Sequence, residues 1–327
     1  MRICIYGAGS VGGFIGGMLA ETGHEVSLVA RGEHLAALRA NGLTLETGGR
    51  TLKQRLPASD KPDDLGKQDY VIVTVKAPAL PSVVRDIGSL LGPSTPVVAA
   101  MNGIPWWLFQ GIGGPHDGRR LKSVDPDGAL ASGIEARRII GCVVHLACSV
   151  PAPGVVRHTS GNLFAIGEPG GGASDRCRAL AEAFGQAGLK AEVSPRIQQA
   201  VWMKYLGNLT LGSLSAITGG TLSGISLDRG TRKICADIMA EAIAAGAKFD
   251  LDPGMTIEER INLGAKLGNF KPSLRQDYEK RRPMEIDTFL SAVIEMAQLV
   301  DVPTPTIEII RALVVHKARL YDLYPRD

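Results

Sequence analysis

Cysteine is scarce in this chain, and no two cysteines form a CxxC pair. The five cysteines are odd in number and scattered along 327 residues, at Cys4, Cys142, Cys148, Cys177 and Cys235. This spacing argues against both a disulfide framework and a zinc site. We therefore expect a reducing compartment and cysteines that are buried as small apolar side chains.

The chain also lacks an excess of charge and an uninterrupted apolar run. Its formal net charge is only +3, which predicts no nucleic-acid partner. The most apolar region, residues 139–156, contains His145, Ser149 and two prolines, so we interpret it as buried strands and not as a membrane span. The first residues lack the apolar stretch and cleavage site of a signal peptide. We therefore expect a soluble, cytoplasmic protein with no membrane partner.

Glycine and short apolar runs are abundant. Apolar residues make up 45% of the chain and charged residues 21%, with 40 glycines, which is typical of a glycine-rich α/β protein. Strand-like runs such as "RICIYG", "EVSLVA", "DYVIVTVK" and "TPVVAAMNG" alternate with helical stretches in the first half. This alternation predicts an α/β fold with a doubly wound parallel sheet.

The second half has a different pattern. From about Pro195 onward the sequence is almost wholly helical, so we predict two domains, residues 1–194 and residues 195–327. Before that boundary, "GVVRHT" and "NLFAIGEP" are predicted as separate strands, and residues 105–132 lose all periodicity. We expect that segment to be a long surface loop with a short helical piece at "WWLF".

A glycine-rich turn follows the first predicted strand. Gly7, Gly9 and Gly12 form G-x-G-x-x-G where a strand passes into a helix, the context in which this motif binds a dinucleotide. Gly7 permits the tight turn, Gly9 lets a pyrophosphate approach the backbone, and Gly12 lets the helix lie close to the strand. The cofactor-binding backbone is therefore predicted to comprise Gly7, Ala8, Gly9, Ser10, Val11 and Gly12. The alternative is a glycine-rich turn without a ligand.

Arg31 indicates which dinucleotide would bind. The second predicted strand ends in "SLVARG", without the acidic residue that usually holds the ribose 2′-hydroxyl of NAD. Because a guanidinium can bind a 2′-phosphate, we favour NADP over NAD. Arg31 could otherwise be an ordinary exposed arginine.

Four polar residues of the second half are candidates for the chemistry. Lys204 and Asn208 are four apart on a predicted helix and so share one face, where a lysine can protonate a developing alkoxide. On local sequence alone, Lys204 is better explained as a solvated charge. Ser273 could cap a helix, and Glu285 could interact with a helix dipole.

Several separated motifs occur in one order along the chain: the G-x-G-x-x-G turn, Arg31, Lys76 of "VTVKAP", Asn102 of "MNG", the Lys204-x-x-x-Asn208 pair and "SLRQDYEKRRPMEID". With these motifs the chain resembles the ketopantoate reductase (2-dehydropantoate 2-reductase) family over nearly its whole length. The resemblance implies an N-terminal Rossmann domain, an all-helical C-terminal domain and NADPH bound in the cleft between them. It also implies the reduction of ketopantoate to (R)-pantoate, a precursor of pantothenate and coenzyme A.

The resemblance assigns roles to the individual residues. Lys204 would be the general acid, with Asn208 beside it in the substrate site. Ser273 would hold the substrate carboxylate, and Glu285 would bind the substrate hydroxyl and help set the charge of Lys204. Lys76 would lie near the nicotinamide end of the cofactor. Asn102 would lie there too and would contribute to the substrate site.

The chain departs from the family pattern at two positions. Gly212 and Phe270 stand where substrate-binding asparagines are usual, although Asn269 is adjacent to the second position. Lost polar contacts would redirect specificity, so a reductase of the same fold that acts on another 2-oxo acid or ketone is the main alternative. A non-catalytic NADP sensor is the alternative of another class. The C-terminal helices allow a homodimer, although their apolar positions are more simply explained as core.

Overall fold

The computed structural model describes residues 1–326, which form two compact units. The first unit contains Met1–Met101 and Ala129–Ile197. The second contains Asn102–Gly128 and the chain from Gln198 onward. The domain boundary at Ser194 remains a prediction. In the structure, the segment 102–128 packs with the second unit.

The first unit is built on a ten-stranded sheet in the order β4-β3-β9-β8-β7-β6-β1-β2-β5, with β10 paired to β9. The strands are β1 Arg2–Tyr6, β2 Glu25–Val29, β3 Leu43–Thr47, β4 Arg50–Gln54, β5 Ala58–Ser59, β6 Tyr70–Val73, β7 Val97–Ala99, β8 Ile139–Ala152, β9 Val155–Gly167 and β10 Lys190–Val193. The helices of this unit are α1 Ser10–Ala20, α2 Gly32–Asn41, α3 Leu80–Asp86, α4 Ala129–Gly133 and α5 Asp175–Gln186.

The sheet is mostly parallel because its central strands are buried on both faces. In β1, β6 and β7 nearly every side chain is buried, as expected for continuous apolar runs between two helical layers. The pairs β3–β4 and β8–β9 are antiparallel. The predicted Rossmann-like α/β fold is confirmed, whereas the two strands predicted within residues 155–167 form the single strand β9.

In the part that the structure describes, the second unit contains helices and turns but no strand. Its helices are α6 Ile197–Gly207, α7 Ser213–Thr218, α8 Leu222–Leu227, α9 Arg229–Ala247, α10 Ile257–Lys266, α11 Ser273–Glu279, α12 Ala292–Gln298 and α13 Pro305–Arg319. Two wider π-helical turns, Asn208–Gly212 and Asp287–Ser291, lead into α7 and α12. Among residues 1–326, none of the helices combines the length and the apolar character needed to cross a membrane.

The prediction of a surface loop at residues 105–132 is wrong for its first part. Trp106, Trp107, Leu108 and Phe109 are all buried, and Phe109 packs against Phe249 with ring centroids 4.9 Å apart. Aromatic side chains remove large apolar areas from water even where the backbone has no regular period. The segment therefore forms part of the core of the second unit.

Helix α13 carries apolar residues on more than one face. Ile307, Ile310 and Val314 are buried, as predicted for core positions, whereas Ile309 and Leu313 are exposed. The homodimer remains a prediction.

None of the five cysteines, all of which lie within residues 1–326, forms a disulfide; four of them are buried, and Cys148 is half-buried. Burial raises the pKa of Cys4, Cys148 and Cys235 to about 12 and that of Cys177 to about 11. The expectation of burial is confirmed for Cys4, Cys142, Cys177 and Cys235.

Candidate functional site

The glycine turn between β1 and α1 is shaped by close backbone approaches. Gly7 has φ +104°, and a Cβ there would lie 2.6 Å from Cγ1 of Val75. A Cβ on Gly12 would lie 2.4 Å from the carbonyl oxygen of Gly7 and 2.7 Å from Ile5. Since real Cβ atoms do not approach other atoms so closely, only glycine fits at these two positions.

Gly9, unlike Gly7 and Gly12, has open surroundings. A Cβ at Gly9 would meet no heavy atom within 4 Å, so the space over the turn is open. Gly9 is also the N-cap of α1, where no side chain caps the helix and no acidic residue lies in the first turn. The N–H groups at the start of this helix therefore point towards a space that a phosphate can fill.

Two side chains brace the turn from outside the motif. Nε2 of His34 lies 2.7 Å from the carbonyl oxygen of Ala8, while Nδ1 accepts a bond from the Gly154 amide at 3.0 Å. These bonds fit a neutral imidazole protonated at Nε2. Thr74 Oγ1 donates to the carbonyl oxygen of Gly7 at 2.7 Å. Neither His34 nor Thr74 was predicted from the sequence, because their partners lie far along the chain.

The other cofactor candidates of the first unit follow neighbouring parallel strands. Arg31 comes after β2, is exposed and donates from Nη2 to Ser82 Oγ at 3.1 Å. Lys76 comes after β6, is half-buried and is adjacent to Val75, the residue that packs over Gly7. Since β1, β2 and β6 are parallel, their carboxyl ends meet at one edge of the sheet, where dinucleotides bind in this class of fold. Ser82 was not predicted as a site residue.

In the second unit, Lys204 is bonded to Asn102. The Lys204 ammonium donates to Oδ1 of Asn102 at 2.5 Å, across 102 residues of sequence. Sequence spacing gave no sign of this contact. The described contacts therefore place Asn102 beside Lys204 of the helical unit.

The helix that carries Lys204 presents it beside Asn208. Both residues are half-buried, whereas Tyr205, Leu206 and Gly207 between them are buried. Lys204 and Asn208 are thus one turn apart on the less buried side of the helix, as their spacing predicted.

Glu285 lies next to the same region. Its exposed fraction is 6%, and it lies two residues before the turn Asp287–Ser291, which leads into α12. Tyr205, the neighbour of Lys204, donates its hydroxyl to the carbonyl oxygen of Phe289 at 2.6 Å. The Ile104 amide, two residues after Asn102, donates to the Thr288 carbonyl at 2.8 Å. The segments carrying Lys204 and Asn102 are therefore both anchored to the turn that follows Glu285.

Ser273 is the first residue of α11 and is half-buried. The N-cap is Pro272, and no side chain caps this helix, so the helix-capping interpretation of Ser273 has no hydrogen bond to support it. Helix α11 packs against the turn Asn208–Gly212, which brings the element of Ser273 beside that of Asn208. Phe270 and Asn269 are both exposed.

Within residues 1–326, no group of three or more His, Cys, Asp or Glu side chains could hold a metal ion.

Comparison with known proteins places both units in one family. Residues 3–171 match the model "Ketopantoate reductase PanE/ApbA", and residues 196–318 match "Ketopantoate reductase PanE/ApbA C terminal". The 2-dehydropantoate 2-reductase of Mesorhizobium japonicum is 45% identical over 315 residues, covering 96% of this chain and 97% of that protein.

Solved structures show the same fold. A Ralstonia solanacearum protein assigned as a ketopantoate reductase superposes with a TM-score of 0.94 at 44% identity, covering 99% of each chain. A D-mandelate dehydrogenase in complex with NADH and anilino(oxo)acetate has a TM-score of 0.85 at 23% identity, covering 99% of this chain and 100% of its own. The latter likeness is one of fold alone. The chain belongs to the ketopantoate reductase PanE/ApbA family of oxidoreductases.

Proposed function

We propose that this protein reduces ketopantoate (2-dehydropantoate) to (R)-pantoate with NADPH, in pantothenate and coenzyme A biosynthesis. The observation that carries the proposal is the Lys204–Asn102 hydrogen bond at 2.5 Å, held in the same region as the buried Glu285. The 45% identity to a 2-dehydropantoate 2-reductase over nearly the whole chain supports the choice of substrate.

The turn at residues 7–12 would hold the pyrophosphate of the cofactor. The open space over Gly9 and the uncapped start of α1 fit a pyrophosphate. Arg31 and Ser82 would hold the 2′-phosphate, and Lys76 would lie near the nicotinamide end, with Asn102 also proposed there. When bound, NADPH supplies the hydride.

Lys204 would supply the proton. An ammonium group directed at a ketone stabilises the developing alkoxide and then protonates it. By accepting one N–H bond of Lys204, Asn102 fixes the direction of the remaining two, because an ammonium has three donors. A buried carboxylate nearby favours the charged form of a lysine, and this is the role proposed for Glu285. Asn208 and Ser273 would bind the substrate.

A related function has one observation in its favour. Gly212 offers no polar side chain beside Asn208, so a different 2-oxo acid or ketone is the second candidate substrate. The D-mandelate dehydrogenase has the same fold, so the fold alone does not choose between substrates.

The first experiment measures cofactor oxidation by wild-type protein and Lys204→Ala with ketopantoate and either NADPH or NADH. We expect NADPH-dependent turnover that falls by about two to four orders of magnitude in Lys204→Ala, the usual contribution of general acid catalysis. The control is Lys233→Ala, which removes an exposed lysine paired with Asp237 on α9. Near wild-type turnover in Lys204→Ala would contradict the role of Lys204. Tight NADPH binding without turnover of any 2-oxo acid would support the sensor instead.

A further inference from the structure

Gly212 is a buried glycine in the middle of a continuous helical segment. Its backbone angles, φ −62° and ψ −48°, are those of an ordinary right-handed helix that any residue adopts. Glycine is the poorest helix former after proline, because it loses most backbone freedom on folding. The backbone at this position therefore gives no reason for glycine.

Packing explains the other buried glycines of this unit, but not Gly212. A Cβ on Gly207 would lie 1.7 Å from the guanidinium of Arg260, and one on Gly246 would lie 2.4 Å from the ring of Trp202. A Cβ on Gly264 would lie 2.4 Å from Leu211. A Cβ on Gly212 would meet no side chain or distant backbone within 4 Å. Gly212 therefore borders an internal opening that a methyl group would not fill.

The opening lies beside the candidate substrate residues. Gly212 is four residues after Asn208, which is four residues after Lys204, so the three follow one side of the helix. The wide turn Asn208–Gly212 reduces the drift that a regular α-helix shows over such steps. This turn also packs against α11, which begins with Ser273, and against the turn that follows Glu285. Gly212 thus belongs to a turn that packs against the elements that carry the candidate site.

We propose that Gly212 determines substrate specificity, because its missing side chain leaves room for the substituent of a bulky 2-oxo acid. The substrate class is a 2-oxo acid with a branched or aromatic group on the carbonyl carbon. The proposal rests on the proposed reductase activity and adds which part of the substrate meets which residue. A side chain at position 212 occupies the space that the substituent needs, while a small 2-oxo acid does not reach it.

The test compares kcat/KM for a bulky substrate, phenylglyoxylate, with that for a small one, 2-oxobutanoate. We expect wild-type protein to turn over both and Gly212→Ala to lower the ratio of bulky to small by about tenfold or more, the effect of one methylene in a tight pocket. Gly212→Leu should lower it further. The matched control is Gly185→Ala in α5, an exposed helical glycine whose Cβ would also meet nothing within 4 Å.

The outcomes distinguish failure of the specificity proposal from failure of the proposed function. A ratio in Gly212→Ala that stays within twofold of wild type, or that falls equally in Gly185→Ala, would overturn the proposal. Unfolding of Gly212→Ala would also overturn it, since the angles and the space admit alanine. Absence of turnover with every 2-oxo acid in wild-type protein would instead defeat the proposed function itself.

Discussion

The two candidate sites of this protein are built in opposite ways. In the first unit, the turn at residues 7–12 is contiguous in sequence and offers mainly backbone groups. In the second unit, Lys204 and Asn102 are brought together from positions 102 residues apart, and they interact through side chains. A site built from backbone is damaged by atoms that are added, whereas a site built from side chains is damaged by atoms that are removed.

The largest effect on cofactor binding should come from adding one methyl group to the backbone-built site. Gly12→Ala places a Cβ 2.4 Å from the Gly7 carbonyl oxygen, so the turn must shift. We expect NADPH affinity to fall about a hundredfold and the melting temperature to fall as well, since overpacking costs about 1–3 kcal/mol. Calorimetric titration with NADPH and thermal unfolding measure the two effects.

Gly9→Ala is the matched variant, because its Cβ meets nothing within 4 Å in the protein. It should lower NADPH affinity while leaving the melting temperature unchanged, since only the cofactor would meet the added methyl group. Equal affinity in Gly9→Ala and wild type would show that the open space over the turn is not where the pyrophosphate binds.

Removing one side chain from the other site should have the next largest effect. Asn102→Ala deletes the acceptor of the Lys204 ammonium. We expect kcat to fall by roughly tenfold to a hundredfold, as for other hydrogen bonds to charged groups. NADPH affinity should change little if Asn102 acts chiefly through Lys204.

Asn262→Ala is the control for Asn102, because Asn262 also accepts a hydrogen bond from a cation, Arg232, in the same unit. It should keep wild-type kcat. A large loss of NADPH affinity in Asn102→Ala, with kcat preserved, would assign Asn102 to the cofactor instead.

Arg31 is proposed to contribute a side chain to the backbone-built site. Arg31→Ala should lower kcat/KM with NADPH by about tenfold and leave kcat/KM with NADH nearly unchanged, since one charge-assisted bond is lost. Arg39→Ala, in helix α2, which begins directly after Arg31, is the control, because Arg39 bonds instead to the carbonyl oxygen of Ala58. An equal fall with both cofactors would separate Arg31 from the 2′-phosphate.

The smallest effect concerns a charged pair in the first unit, Glu168 and Arg176, neither of which is a candidate site residue. Burial raises the pKa of Glu168, but hydrogen bonds from Arg176 and Ser174 outweigh burial and hold the pKa below its usual value. A carboxyl whose folded pKa is lowered stabilises the fold above its unfolded pKa, and the stabilisation is lost as pH falls through the folded value.

Glu168→Gln should therefore reduce the free energy of unfolding by about 1 kcal/mol at neutral pH, with a smaller difference from wild type in acid. Urea unfolding at the two pH values measures this, and Glu182→Gln on the exposed side of α5 is the control. NADPH affinity should be unchanged. A difference that does not shrink in acid would mean that the charge of Glu168 is not what stabilises the unit.

Local patterns predicted much of the fold and of the cofactor turn. Apart from contacts with Val29, Thr74 and Val75, the strand, turn and helix around Gly7 and Gly12 depend on neighbours within a few residues, so the motif carries most of the information. Phe109 is buried against a core partner, Phe249, that lies far along the chain. No periodicity within residues 105–132 could have indicated it.

The remaining site features depend on distant contacts. The bond between Lys204 and Asn102 and the bracing of Ala8 by His34 join residues that no spacing rule relates. The π-helical turn at Asn208–Gly212 depends on how its helix packs, and its sequence has no distinct period. Residue types on one helix face were therefore predictable, whereas their partners were not.

The burial of the native thiols has a practical consequence for spectroscopy. With pKa values of about 11 to 12, Cys4, Cys148, Cys177 and Cys235 are almost entirely protonated at neutral pH and react slowly with maleimides and other alkylating labels. Cys142 is shielded by its burial. A single cysteine introduced on an exposed helix can therefore carry a fluorophore or spin label without removal of the native five, so each unit can be followed separately during turnover.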